Sequence, residues 1–197
     1  MSADKETLAV YATKAADYAS MMDEFANDPR LVAFIGTLPT GAHVLDLGCG
    51  PGWAAAQMAE AGLRVDATDA SPEMVEMAGQ LEGVTARVAT FDEITGTDLY
   101  DGIWANFSLL HAPRRDMPRI LAALHRALKP GGLFHIGVKT GTGEHRDSLG
   151  RLFTYYTADE LHGLLKQAGF APFSSYTGRD AGLSGEPADW ITITAHG

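Results

Sequence analysis

The stretch that most constrains what this chain can fold into is Val44 to Gly52, VLDLGCGPG. Val44, Leu45 and Leu47 form a short apolar run of the kind a buried parallel strand shows. Gly48, Gly50 and Gly52 break that run, and Trp53 to Ala61, built of good helix formers and closed by Gly62, follows it. Strand, glycine turn and helix make the first half of a βαβ unit, which predicts an α/β protein. Glycines in such a turn let a ligand lie directly against the backbone.

Two ligand chemistries compete for the turn. A dinucleotide pattern, G-x-G-x-x-A, can be placed on Gly50, Gly52 and Ala55, with Asp69 downstream for a ribose contact. Against a pyrophosphate stand Asp46, whose carboxylate before the turn repels phosphate, and Pro51, which removes a backbone N–H. A cationic ligand without phosphates, such as S-adenosylmethionine, reverses both objections.

On these residues the chain resembles the class I S-adenosylmethionine-dependent methyltransferases: D-x-G-C-G-P-G after an apolar strand is similar to their motif I. The KPGG turn at Lys129 to Gly132 resembles the family as well. The likeness runs from Ala42 to about Ala195 and is greatest to the small type 11/12 or tellurite-resistance-like members. It implies a Rossmann-like, doubly wound, seven-stranded and mostly parallel sheet with a C-terminal antiparallel hairpin. Residues 1–197 are then expected to form a single domain, with 1–39 as an N-terminal helical cover and 40–197 as the core.

In chain order, Leu8, Tyr11, Ala15, Tyr18, Met21 and Met22 recur at helical spacing before Pro29 and Pro39. The resemblance implies that such helices fold over the cofactor, so Tyr11 and Tyr18 are candidates for the cofactor's methionine end or for substrate, with plain packing as the alternative. Leu63 to Thr68 reads as the second strand. Asp69 at its end, followed by Ala70, can accept the ribose hydroxyls. Ser71, Pro72 and Glu73 open a helix as cap, first-turn proline and dipole-matching acid. Met74 falls where the family packs an apolar side chain on adenine. After the third strand, Val84 to Ala89, Thr90 and Phe91 are expected to flank that ring, and Asp92 reads as a cap.

Tyr100 to Asn106 is the fourth strand, and Phe107 to His111 its outgoing loop. The D/N/S-P-P-aromatic motif of nucleic-acid amino-methylating relatives is absent there. The cofactor set is therefore Asp46, Gly48, Cys49, Gly50, Asp69, Ala70, Met74, Thr90, Phe91 and Asn106. His111 is a candidate general base or a buttress. Asp116 should cap a helix with Ile120, Leu121, Leu124 and Leu128 inward, ended by the KPGG turn before a fifth strand, Leu133 to Val138. The polar loop Lys139 to Gly150 is expected on the substrate side, with His145, Arg146 and, beyond it, Tyr155 as substrate candidates. Its positive groups, Lys139, His145 and Arg146, with Arg151 beyond the loop, suit a carboxylate or oxyanion, with a solvated connector as the alternative. Ala158 to Ala168 is a helix, and Phe170 to Tyr176 with Trp190 to Thr194 forms the closing hairpin.

A net charge of −10 disfavours nucleic acid. No apolar run is long enough to span a membrane, and no signal peptide is evident, so a cytoplasmic enzyme is expected. The single cysteine excludes an internal disulfide and a multi-cysteine metal site. The expected function is methyl transfer from S-adenosylmethionine to a small molecule. In-line geometry and desolvation can carry much of the rate without a base. A non-catalytic S-adenosylmethionine-binding protein and an NAD-dependent oxidoreductase are the alternatives. The acceptor atom and the oligomeric state are not readable.

Overall fold

The structure, a computed structural model, describes residues 4–15, 20 and 28–197. Seven strands form one sheet: β1 (His43–Leu47), β2 (Arg64–Asp69), β3 (Val84–Val88), β4 (Tyr100–Asn106), β5 (Leu128–Lys139) and, numbered after two short strands below, β8 (Ala171–Ala181) and β9 (Pro187–His196). Their order is β3-β2-β1-β4-β5-β9-β8. The first five run parallel, and β9 is antiparallel to both β5 and β8. This is the Rossmann-like sheet with a terminal antiparallel pair that the motifs imply.

Each central strand is apolar on both faces because helices cover both. Val44, Trp104 and Leu133 pack with α2 (Pro29–Thr37) and α3 (Trp53–Glu60), through Leu31, Phe34, Ala55 and Met58. Leu45, Ile103, Phe134 and Ile136 face the opposite layer, α5 (Met117–Ala127) and α6 (Ala158–Gln167), through Ile120, Leu121, Leu124, Leu161 and Leu165. Each such side chain contributes roughly 1.5–3 kcal/mol on burial. The remaining helices are α1 (Lys5–Thr13) and α4 (Pro72–Ala78). Ser71 caps α4 through the Met74 N–H, as its sequence position suggests.

The glycine turn is tied to β2 by two hydrogen bonds, from the Gly48 and Cys49 N–H groups to the Thr68 carbonyl (2.7 and 2.9 Å). Gly52 serves packing: a Cβ there would meet Leu81 at 2.6 Å and Ala78 at 3.0 Å, at a φ of +93°.

Four local expectations need correction. The KPGG segment is not a turn ahead of β5 but lies within it. Leu128 already pairs with Tyr100, and the register shifts before Gly102 pairs with Leu133. Gly131, at φ +73°, donates to the Gly197 carbonyl and so ties the bulge to the chain end. Asp116 occupies the N-cap position of α5 without a capping bond; its carboxylate faces Arg119 at 3.7 Å instead. The loop after β5 contains a short strand, β6 (Glu144–Arg146), paired with β7 (Leu152–Thr154). The hairpin is longer than its apolar alternation, because Arg179–Asp189 and the Trp190 indole on Asp180 (2.8 Å) hold its polar end together.

Candidate active site

The carboxyl ends of the strands open onto two adjoining cavities, of about 90 and 160 Å³. Tyr11, Phe107 and His111 line both and form the wall between them.

The smaller cavity gathers Gly48, Gly50, Asp69, Ala70, Met74, Thr90 and Phe91. A Cβ on Gly48, where φ is +71°, would sit 2.3 Å from the Ser108 Cβ, so only glycine fits. Asp69 accepts the Gly50 N–H on one oxygen and the Ser71 N–H on the other, both at 2.9 Å. The Ala70 N–H also bears on this carboxylate, and acceptor capacity remains for further donors. Burial pushes its carboxyl above the ordinary range, opposed by those backbone donors. Thr90 spends its N–H and hydroxyl on Glu93. Asp92 pairs with Arg119 at 2.6 Å rather than acting as a free cap.

Asp46 and Cys49 lie beneath the turn, buried, and line neither cavity. Burial, then the Asp69 charge, pushes the Asp46 carboxyl up to about 7. Its charge toward a ligand is therefore weaker than its place before the turn suggests. Burial beside the same two carboxyls pushes the Cys49 thiol up as well.

His111 has both ring nitrogens committed. Nδ1 lies 2.7 Å from the Leu152 carbonyl, which can only accept, so Nδ1 carries the proton. Nε2 then accepts from the Tyr11 hydroxyl at 2.9 Å. Burial pushes His111 down to about 4, which keeps it neutral. Arg151 donates to the Tyr11 oxygen (3.0 Å) and opposes the rise that burial imposes on that phenol.

Asn106 lines the larger cavity, its Oδ1 3.2 Å from His135 Nε2. Lys139, Arg151, Phe153 and Trp190 complete much of that wall. Neither His145, Arg146 nor Tyr155 lines either cavity. His145 is exposed and bonds the Thr142 carbonyl. Arg146 anchors α1 instead, on Asp4 (3.0 Å) and Glu6 (3.2 Å). The Tyr155 ring packs against His145 and Phe153. Tyr18 lies outside the described residues.

Site residues that motif reading did not find are Asp4, Thr7 and Leu8 of α1, Ser108, and above all Phe107. Phe107 holds φ +56°, a left-handed conformation unusual for an aromatic residue and found where structure around it enforces strain. Its N–H donates to the Gly137 carbonyl. Among the described residues no group of His, Cys, Asp and Glu could hold a metal. No described helix is long and apolar enough to cross a membrane.

A glycine turn after β1, an acid ending β2, and Met74 and Phe91 line one cavity at the strand ends, where open α/β sheets hold their ligands. Its residues fit S-adenosylmethionine: a carboxylate for vicinal hydroxyls, an apolar slot for a base, and a glycine-only approach without cations for phosphate. A family profile described as methyltransferase domain matches residues 18–175. The chain belongs to the class I S-adenosylmethionine-dependent methyltransferase family. It is 28% identical to the 1,6-didemethyltoxoflavin-N1-methyltransferase of Burkholderia thailandensis, crystallised with S-adenosylhomocysteine. That match covers 100% of this chain and 91% of the other, at a TM-score of 0.74. The ubiquinone biosynthesis O-methyltransferase of Xanthomonas oryzae is 37% identical over 100 residues, 47% of this chain and 41% of that protein. A ubiquinone/menaquinone biosynthesis C-methyltransferase of Rubrivivax gelatinosus is 38% identical over 98 residues, 48% of this chain and 38% of that protein. The match thus spans less than half the length of these curated relatives.

Proposed function

We propose that this chain transfers a methyl group from S-adenosylmethionine to a small-molecule acceptor, with the cofactor in the smaller cavity and the acceptor in the larger. The observation that carries this reading is the shared wall of Tyr11, Phe107 and His111, which brings two binding spaces to one point. S-adenosylmethionine supplies an electrophilic methyl on a sulfonium. Asp69 accepts the ribose hydroxyls, Met74 and Phe91 clamp the base, and Gly48 and Gly50 admit the amino-acid end against backbone. Phe107 and Ser108 exclude water at the junction, where alignment lowers the barrier.

The base role expected of His111 passes to the Tyr11–His111 pair, because Tyr11 covers the one lone pair His111 has left. Tyr11 receives the acceptor's proton as its own moves to His111 Nε2, which leaves the phenol neutral and the imidazole cationic, and Arg151 holds the Tyr11 oxygen in place for the relay. Relatives named for O-, C- and N-methylation support a small acceptor without selecting its atom.

Calorimetry with S-adenosylhomocysteine and transfer of labelled methyl into fractionated metabolites test the reading. Asp69→Ala should weaken cofactor binding by about 1.5–3 kcal/mol, the scale of hydrogen bonds to a charged group. Unchanged affinity in a folded variant removes Asp69 from the site. Wild-type protein that binds the cofactor yet labels nothing favours a non-catalytic binding protein.

A further inference from the structure

Three cations line the larger cavity, and they differ in what neutralises them. Arg30 is held by Asp28 through two contacts of 2.7 Å. Arg151 is held by Asp147 at 2.6 and 2.9 Å, with both side chains buried. Lys139, at the end of β5, has no carboxylate within ion-pair distance among the described residues. Its Nζ lies 3.9 Å from the centre of the Phe153 ring. Asp180, the one carboxylate lining the cavity among the described residues, accepts the Trp190 indole N–H. Asp147 and Glu186 act on Lys139 only at longer range, and burial pushes its ammonium down from its ordinary value.

A half-buried ammonium without a close carboxylate carries a desolvation cost that the Phe153 ring face and the more distant Asp147 and Glu186 charges offset only in part. An anion entering the cavity offsets it. Around Lys139 the walls are aromatic: Phe107, Phe153, Trp53 and Trp190, with Phe107 and Trp190 edge-to-face at 6.1 Å. Such surfaces favour a flat ring. A volume of about 160 Å³ suits one ring, since an apolar cavity of ~150 Å³ takes benzene.

Deepening the methyl-transfer reading, on which it rests, we propose that the acceptor is a planar ring bearing an oxyanion, a carboxylate or an ionised hydroxyl, and that Lys139 pairs with that charge. Lys139 is a specificity residue, and no cofactor contact is assigned to it.

The test uses protein saturated with S-adenosylhomocysteine and two probes of equal shape, 4-hydroxybenzoate and uncharged 4-hydroxybenzamide, titrated at neutral pH. The benzoate should bind about tenfold or more tightly than the amide, the scale of a charge-assisted contact. Lys139→Met should erase that preference by weakening the benzoate alone. Lys139→Arg should retain it. S-adenosylhomocysteine affinity should stay the same in all three proteins. Equal affinity for the two probes, no detectable benzoate binding, or a preference surviving in Lys139→Met overturns the proposal. Failure of wild-type protein to bind S-adenosylhomocysteine overturns the cofactor reading itself.

Discussion

The two cavities share a wall but are held together by different contacts. The smaller is built mainly at the ends of adjacent parallel strands, with Asp4, Thr7, Leu8 and Tyr11 of the N-terminal segment laid over it. Its central tie, Asp69 to Gly50 and Ser71, joins the ends of β2 and β1 through backbone N–H groups. The larger is assembled from α1, α2, the ends of β4 and β5, β7 and the hairpin. Its own tie crosses the chain, Arg151 to Tyr11 over 140 positions, while Arg146 to Asp4 (142) and the Leu152 N–H to the Thr7 hydroxyl (145) fasten α1 beside both cavities. One cavity is a property of strand ends, the other a property of packing. Substitutions should therefore act locally on the first and through assembly on the second.

The largest effect is expected on the assembled side. Arg151→Leu leaves Asp147 buried and unpaired, so unfolding by denaturant should show a loss of about 3–5 kcal/mol. A variant of wild-type stability would mean that this pair does not hold the cavity, and the contrast fails.

On the local side, Gly48→Val places a side chain where Ser108 already sits and forces a left-handed valine. Cofactor affinity should fall by at least about a hundredfold while unfolding stays cooperative. Retained affinity in calorimetry would place the ligand elsewhere.

A smaller effect comes from beneath the turn. The folded-state pKa of Asp46, about 7, lies above its unfolded value of 3.8. The folded state thus binds the extra proton between those values. That contribution is fully present below the lower value and is lost as pH rises through the upper one, at about 1.4 kcal/mol per pH unit. Asp46→Asn removes it. Relative to the variant, cofactor-free wild type should lose stability from about pH 4 to pH 7. His111, lowered to about 4, titrates in the opposite sense in both proteins and cancels in the difference. A pH-independent difference would show that Asp46 is ionised in the fold.

The smallest effect sharpens the comparison. Arg146→Ala frees Asp4 and the start of α1, with exposed charges that salt screens. Cofactor affinity should drop only a few-fold, more at low salt than at high. A salt-independent loss would point to packing rather than charge.

Strand ends explain why the residues of the smaller cavity are legible from the sequence. Asp69 and Met74 follow β2 at short range, and Gly48 and Gly50 follow β1, so a motif carries their positions with it. The limits of that reading are equally specific. Asp46, at the end of β1, and Cys49, in the turn itself, belong to the same motif, yet both are buried and line neither cavity. His145 and Arg146 were placed by their loop alone, and pairing of β6 with β7 directs Arg146 to α1.

What the sequence determined by itself was the strand–turn–helix start, its glycine turn and the acid ending β2, which rest on periodicity or on residues adjacent in the chain, and, through the family resemblance those motifs carry, the mostly parallel sheet with its antiparallel close. Only the tertiary structure decided that Tyr11 meets His111, that Phe107 stands in a left-handed conformation between two cavities, and that among the described residues Lys139, unlike Arg30 and Arg151, has no carboxylate at ion-pair distance. Those outcomes depend on distances between segments up to 145 positions apart. No local propensity specifies such distances, since they follow from how helices and hairpin pack over the sheet's carboxyl edge.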